Sequence, residues 1–263
     1  MTTATTRRSD APVRRAVEHV MGMPVSLALR GRHTDDAAAD DAWAACLAEL
    51  REVDLVFSTY RPDSFVSRLA AGEIGLDACP EAVGEVLTLA EQARIDSGGA
   101  FDVRRTTSDG RVVLDPDGVV KGWAVQRAAS HLLALDDTDV CLSAGGDMVC
   151  HVADDARPAW QIGIEDPLDT SRVLAVVPVR RGAVATSGHA HRGHHVVDAR
   201  TGLAPTDLAS VTVIGRDLTQ VDIDATTAYA LGPDGVAWLR ERGRTALVVH
   251  QDGSAEVLGP HAG

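Results

Sequence analysis

Apolar positions along this chain change their spacing about halfway. In the first half they recur every three or four residues, which predicts amphipathic helices over 35–58, 79–99 and 118–135, the last starting near Lys121. Only 17–31, "VEHVMGMPVSLALRG", alternates there as a strand. Past residue 138 the runs shorten and fill with Val, Ile and Leu between Gly, Pro and Asp, predicting strands over 139–152, 160–167, 173–188, 194–202, 210–215 and 245–258. One helix, 219 to about 243, interrupts them. Helices gathered early and strands gathered late predict an α+β domain with mixed or antiparallel sheets and packed helices, rather than a regular βαβ array. Residues 1–15, polar and small as far as about 13, are expected to be a disordered tail, and 16–259 one domain.

The late helix is the least ordinary element. "VDIDATTAYALG", 221–232, has a core-like apolar background, yet it carries Asp222, Asp224, Thr226 and Thr227. Thr219, three residues before Asp222, resembles a capping box, so acids near this end could simply complement the helix dipole. Asp222 and Thr226 are four apart, however, and stack on one face, where a carboxylate and a hydroxyl can both reach a hard cation such as Mg²⁺. Asp224 and Thr227 are expected to face solvent or to cap.

Composition narrows the function classes. A formal charge of -13 argues against a duplex nucleic-acid binder, whose affinity rests on many Lys and Arg contacts to phosphate. An anionic ligand would therefore need a metal or a local basic group. The four cysteines form no C-x-x-C pair, so neither a zinc ribbon nor a dithiol redox motif is indicated, and free thiols are expected. No run approaches the ~18 apolar residues of a membrane span, and residues 1–20 lack a signal-type apolar stretch, so a cytoplasmic protein is the expectation.

Two turns end in glycine pairs and acids: "SGGAFD", 97–102, and "LSAGGDM", 142–148. Each is readable as a tight turn or as a close backbone approach to a ligand. His189, His191, His194 and His195 cluster within 186–202, but no cysteine accompanies them and the spacing fits no standard zinc site. His195 precedes Asp198 by three residues, and a carboxylate near an imidazole can orient it as a base. Walker, Rossmann and nucleophile-elbow motifs are absent.

Read in order, "MGMPVSL", "FSTYRPDSFVSRL", "SGGAFDV", "LDPDGVVKGWAV", "LSAGGDM", "WQIGIEDP", "VATSG", "HVVDARTG", "SVTVIG" and "VDIDATTAYALG" resemble the ApbE family of FAD:protein FMN transferases. The resemblance spans about residues 19 to 250. It implies an ApbE-like (T-fold-like) domain, with FAD in a crevice between the helical N-terminal half and the β-rich C-terminal half. It further implies an enzyme that uses Mg²⁺ to move the FMN moiety of FAD onto a Thr or Ser hydroxyl of an acceptor flavoprotein, releasing AMP. The family acceptor carries Asp-Gly followed by a Ser/Thr-Gly-Ala-Thr motif, which this chain lacks. The metal ligands implied are Asp222, Thr226 and a backbone carbonyl, that of Val120. Met21, Tyr60, Ala100, Phe101, Asp102, Asp117, Trp123, Val197 and Ala225 match cofactor-binding positions. His195 matches the residue that would assist transfer, with Asp198 as its orienting partner or reserve.

The alternatives are an FAD pyrophosphatase that gives FMN and AMP with water as acceptor, and a flavin-binding protein without catalysis. The chain departs from the family pattern at Gln126, where an acid is usual, at Asp224, where an apolar residue is usual, and at Ala199, where Pro is usual. Gln126 in place of an acid implies altered ribose or adenine contacts.

Overall fold

A computed structural model describes residues 12–106, 112–188 and 196–259. The chain enters as an antiparallel hairpin, β1 (Arg14–Val20) and β2 (Met23–Gly31). The single strand expected over 17–31 is thus two. Met21 and Gly22 both take positive φ, 55° and 69°, and make the two-residue turn that the unbroken alternation concealed. The ordered chain also starts earlier than the expected tail allows, since Arg14 pairs with Leu29 and Arg15 with Ala28.

α1 (Ala37–Phe57) starts where Asp36 accepts a hydrogen bond from the Ala39 N–H. Its stripe of Trp43, Leu47, Leu50, Val53 and Phe57 is buried, and full burial of a side chain such as Leu50 contributes about 1.5–3 kcal/mol. A short α2 (Phe65–Ala70), capped by Ser64, follows. Six residues are too few to show a helical period, so the sequence pattern gave no sign of it. α3 (Glu81–Asp96) ends in Gly98 and Gly99, both at positive φ, as the glycine pair implied.

A two-stranded ribbon, β3 (Arg104–Thr106) and β4 (Val112–Leu114), leads into α4 (Asp117–Leu133). α4 begins a turn before Lys121, because the Pro116 carbonyl accepts from the Val119 and Val120 N–H groups. Then come β5 (Thr138–Ala144), β6 (Asp147–His151), β7 (Trp160–Asp166), β8 (Asp169–Val179), β9 (Arg181–Gly188) and β10 (Leu208–Gly215). Of the strand expected over 194–202, residues 194 and 195 lie outside the described part, and the described residues 196–202 form no strand, Asp198 alone bridging to Leu203.

The long late helix is two, α5 (Leu218–Ala230) and α6 (Pro233–Glu241), parted by Gly232 at φ 59° and by Pro233, which has no N–H to continue the ladder. β11 (Thr245–His250) and β12 (Ala255–Leu258) finish the fold. Among the described residues an eight-stranded antiparallel sheet runs β1-β2-β5-β6-β9-β10-β11-β12.

α5 packs on β9 and β10, α4 packs on α5, and α1 packs on α4. Beyond the sheet the β7–β8 ribbon covers two small apolar clusters, one around Cys150, Ile162, Val179 and Val184 and one around Ile164, Ala209, Leu247 and Val249. Cover on both faces explains why β10 is buried at every position from Leu208 to Val213, Ser210 and Thr212 included, instead of at alternate positions only. α5 is consequently an inner helix, enclosed by the sheet, α4 and α6.

Candidate functional site

A cleft of about 930 Å³ opens between the α4–α5 pair and the β7 ribbon, large enough for a ligand of dinucleotide size. Its rim carries the Met21–Gly22 turn, Tyr60, the segment Ala100 to Asp102 and Val197. Its floor carries Asp117, Gly118, Lys121, Ser187, Asp222 and Thr226. Tyr60 is 91% exposed, a ring offered to whatever enters. Met21 keeps a left-handed backbone at the rim, a conformation that costs a side-chain-bearing residue about 1–2 kcal/mol.

The floor exists because α4 and α5 approach unusually closely. A Cβ built on Gly122 would lie 2.7 Å from the Asp222 Cβ, and one on Gly118 would lie 3.6 Å from the Thr226 Cγ2. Glycines four apart on α4 thus face the acid and hydroxyl four apart on α5. The Gly122 N–H donates to Asp222 Oδ2 at 2.9 Å. Thr226 Oγ1 shares a 3.0 Å hydrogen bond with Ser187 Oγ at the end of β9.

Charge at the floor is concentrated on three residues. Lys121 Nζ lies 2.5 Å from Asp147 Oδ2 and 3.3 Å from Asp222 Oδ1. Both carboxylates are 1% exposed. Asp147 follows the Gly145-Gly146 turn of the β5–β6 hairpin, and its Oδ1 accepts from the Thr186 N–H at 3.0 Å. Asp222 Oδ1 and Asp147 Oδ2 take this ion-pair contact but no aligned hydrogen bond. Burial pushes the Asp222 carboxyl up to about 7; Lys121 opposes the shift and Asp147 reinforces it.

The oxygen ligands offered at the floor are carboxylates and hydroxyls, which suit a hard divalent cation such as Mg²⁺ rather than a soft metal. Among the described residues no group of three or more His, Cys, Asp or Glu encloses a metal.

Several expected site residues stand elsewhere. Trp123 points away from the cleft because it lies on the opposite face of α4 from Gly118 and Gly122. It packs edge-on against Phe57, its indole N–H donates to Glu85, and Arg127 lies over its ring. Ala225 is fully buried within α5 and does not line the cleft. Val120, expected to offer its backbone carbonyl, lies in the first turn of α4, beside Lys121, with its side chain in the core.

Asp198 is held by Arg200, whose Nε donates to Oδ1 at 2.9 Å and whose terminal nitrogen donates to Oδ2 at 2.6 Å. That hydrogen bonding keeps its carboxyl below the usual range, which makes it a weak base. His195 and the rest of the histidine cluster, 189–194, lie outside the described residues. Asp224 and Thr227 are buried, not solvent-facing, and the residue that caps α5 is Asp217, whose carboxylate accepts from the Gln220 N–H, rather than Thr219. Gln126 lies off the cleft; its Oε1 accepts from the Leu218 N–H at 2.7 Å and tethers α4 to the start of α5. Lys121, Asp147 and Ser187 were not singled out from the sequence. Their signal lies in the short blocks "DGVVKG", "GGD" and "TSG", whose convergence requires the strand order.

Fold and floor together define an α+β protein with a roomy cleft whose buried end pairs one lysine with two carboxylates and two hydroxyls. The chain belongs to the ApbE family, whose model matches residues 21–108 and 104–249. It is 27% identical over 155 residues to an FAD:protein FMN transferase of Haemophilus influenzae, a match covering 54% of this chain and 45% of that protein, so it spans about half the relative's length. In fold it is similar to a flavinyl transferase ApbE from Pseudomonas stutzeri, with a TM-score of 0.79, 22% identity, and cover of 94% of this chain and 96% of that one. The ApbE protein of Thermotoga maritima matches with a TM-score of 0.80 at 20% identity, over 94% of this chain and 97% of its own. Among the described residues no helix is long and apolar enough to cross a membrane.

Proposed function

We propose that this chain is an FAD:protein FMN transferase, which moves the FMN half of FAD onto a Thr or Ser hydroxyl of an acceptor flavoprotein and releases AMP. The observation that carries this reading is the Asp147–Lys121–Asp222 cluster, with Thr226 and Ser187 beside it, at the buried end of a dinucleotide-sized cleft. A pyrophosphate brings negative charge into a protein that is itself acidic, so the floor must supply positive charge. Lys121, on the cleft lining, is already matched by two buried acids, so the cluster brings no net positive charge and a bound cation has to supply it. Asp222 and Thr226 would hold a Mg²⁺ ion, which when bound supplies the charge that stabilises a departing phosphate.

The rim residues Met21, Tyr60 and Ala100 to Asp102 offer backbone and ring surface for a flavin. An acceptor hydroxyl needs a base, and His195 is the residue assigned to take its proton. Asp198, engaged by Arg200, is the poorer candidate. The acceptor would carry the Ser/Thr-Gly-Ala-Thr motif. The setting proposed is cytoplasmic.

The test is to incubate the protein with FAD, Mg²⁺ and a motif-bearing acceptor and to weigh the acceptor. Covalent gain of one FMN is expected. Free FMN and AMP without adduct would make the chain a pyrophosphatase, and intact bound FAD would make it a carrier.

A further inference from the structure

Cys141 and Cys150 take no part in the site just described, yet they are placed for chemistry with one another. They are direct register partners across the β5–β6 hairpin, and their sulfurs lie 3.8 Å apart. The turn that closes the hairpin is Gly145-Gly146, with φ of 57° and 97°, the two-residue primed type. In such a hairpin the closing pair, Ala144 and Asp147, is hydrogen-bonded, and alternation then makes Cys141 and Cys150 a non-hydrogen-bonded pair. That is the closer kind, with Cα atoms about 4.5 Å apart, inside the range a disulfide spans. Cys150 is 2% exposed, whereas Cys141 is only half-buried and open to a small oxidant.

We propose that Cys141 and Cys150 form a reversible disulfide, a redox modification site in the sheet directly behind the cleft. In the reaction with a peroxide, the Cys141 sulfur attacks one peroxide oxygen and breaks the O–O bond, leaving a sulfenic acid and one water. The Cys150 sulfur then attacks the sulfenic sulfur, forms the S–S bond and releases a second water. Two thiols give up two protons and two electrons, and hydrogen peroxide takes them. A dithiol reductant reverses the reaction by exchange.

The surroundings favour this order of attack. The hydrogen bond from Cys150 lowers the Cys141 thiol below its ordinary value, against its burial, with Arg15 and Arg30 adding to the effect. The same contact, with burial, raises Cys150. The other two cysteines are unsuited: burial pushes Cys46 up to about 12 and also raises Cys79, and among the described residues the recorded contact between cysteine sulfurs is that of Cys141 with Cys150.

The position links the pair to the ligand. Both cysteines pack in the cluster that includes Met148, Ile162 and Val184, and these three also line the cleft. A bond here would staple the hairpin whose turn presents Asp147 to Lys121.

The test uses the full chain treated with hydrogen peroxide, then denatured in the presence of an alkylating agent, digested and weighed. The expected product is one intramolecular Cys141–Cys150 crosslink, lost on addition of a dithiol and absent in Cys141→Ser and in Cys150→Ser, while Cys46 and Cys79 remain alkylatable. Four alkylatable thiols, a sulfinic acid on Cys141 with Cys150 still free, or disulfide-linked dimers would each overturn the proposal. None of these readouts depends on flavin transfer, so the proposal and the proposed activity can fail separately.

Discussion

Two acids stand two residues apart on α5, both buried, and they are used in opposite ways. Asp222 faces α4 and the cleft, where Lys121 Nζ lies 3.3 Å from its Oδ1. Asp224 faces the α6–β11 side, where Arg244 Nε lies 2.7 Å from one oxygen and Gln220 Nε2 donates to the other at 2.9 Å. Burial raises both carboxyls above the ordinary value, and in each case a cation opposes it. What separates them is access: Asp222 borders open volume that a ligand can occupy, while Asp224 is enclosed by protein. A buried acid on an inner helix is therefore a site only where the fold leaves space beside it.

Replacing Asp222 gives the largest effect the contrast predicts. Asp222→Ala should lower FMN transfer by about 10²–10³-fold, as removal of one group that stabilises developing charge typically does. Its melting temperature should move little, because deleting an acid whose ionisation is opposed by burial offsets the lost Gly122 contact. Acceptor mass gain and a thermal melt on the same preparation check both halves. Retained turnover would remove Asp222 from the site.

Asp224→Ala should reverse the pattern. It leaves the partly buried Arg244 without its carboxylate, at a cost of about 2–3 kcal/mol. For a chain of this size that is a fall in melting temperature of about 5–10 °C. Transfer per folded molecule should stay within about twofold of wild type, since Asp224 does not line the cleft. A large loss of activity at unchanged stability would break the comparison.

The two acids were not equally legible. Spacing alone pairs Asp222 with Thr226, because four residues return a helix to the same face. Asp224 looked solvent-facing because an amphipathic helix has a polar outer side, and α5 has none: the sheet, α4 and α6 enclose it. The helices and most strands could be read from apolar spacing, but the Met21–Gly22 turn and the Gly232–Pro233 break sit inside patterns that continue across them. Lys121 and Asp147 meet only because α4 passes near the end of β6, and no local pattern encodes that approach. Trp123 shows the same limit from the other side, a resemblance placing it near the ligand and the helix turning it into the core.

A smaller effect concerns pH. The folded-state value of Asp224 is raised above the ordinary 3.8, so folding favours its protonated form. That contribution is complete below the unfolded value and is lost as pH rises through the folded one. Asp224→Asn has no such titration, so the stability advantage of wild type over this variant should shrink from pH 4 to pH 7, by less than about 1.4 kcal/mol per pH unit. Denaturant midpoints at the two pH values measure it. An advantage that grows with pH would mean that the Arg244 ion pair outweighs burial.

The smallest change tests what stands between α4 and α5. Gln126 accepts from the first N–H of α5 and does not border the cleft, so an acid at this position would act on the helix rather than on a ligand. A carboxylate in Gln126→Glu keeps the acceptor and adds negative charge at the positive end of α5, a gain of about 0.3–1 kcal/mol. Asp217, which already caps that end, repels it and trims the gain toward the lower figure. FAD affinity, read by flavin fluorescence, should remain within about twofold, because Asp222 and Thr226 keep their places one and two turns further on. A tenfold change in affinity at constant stability would return Gln126 to the ligand and erase the boundary between the acid that serves the cleft and the residues that hold its helix.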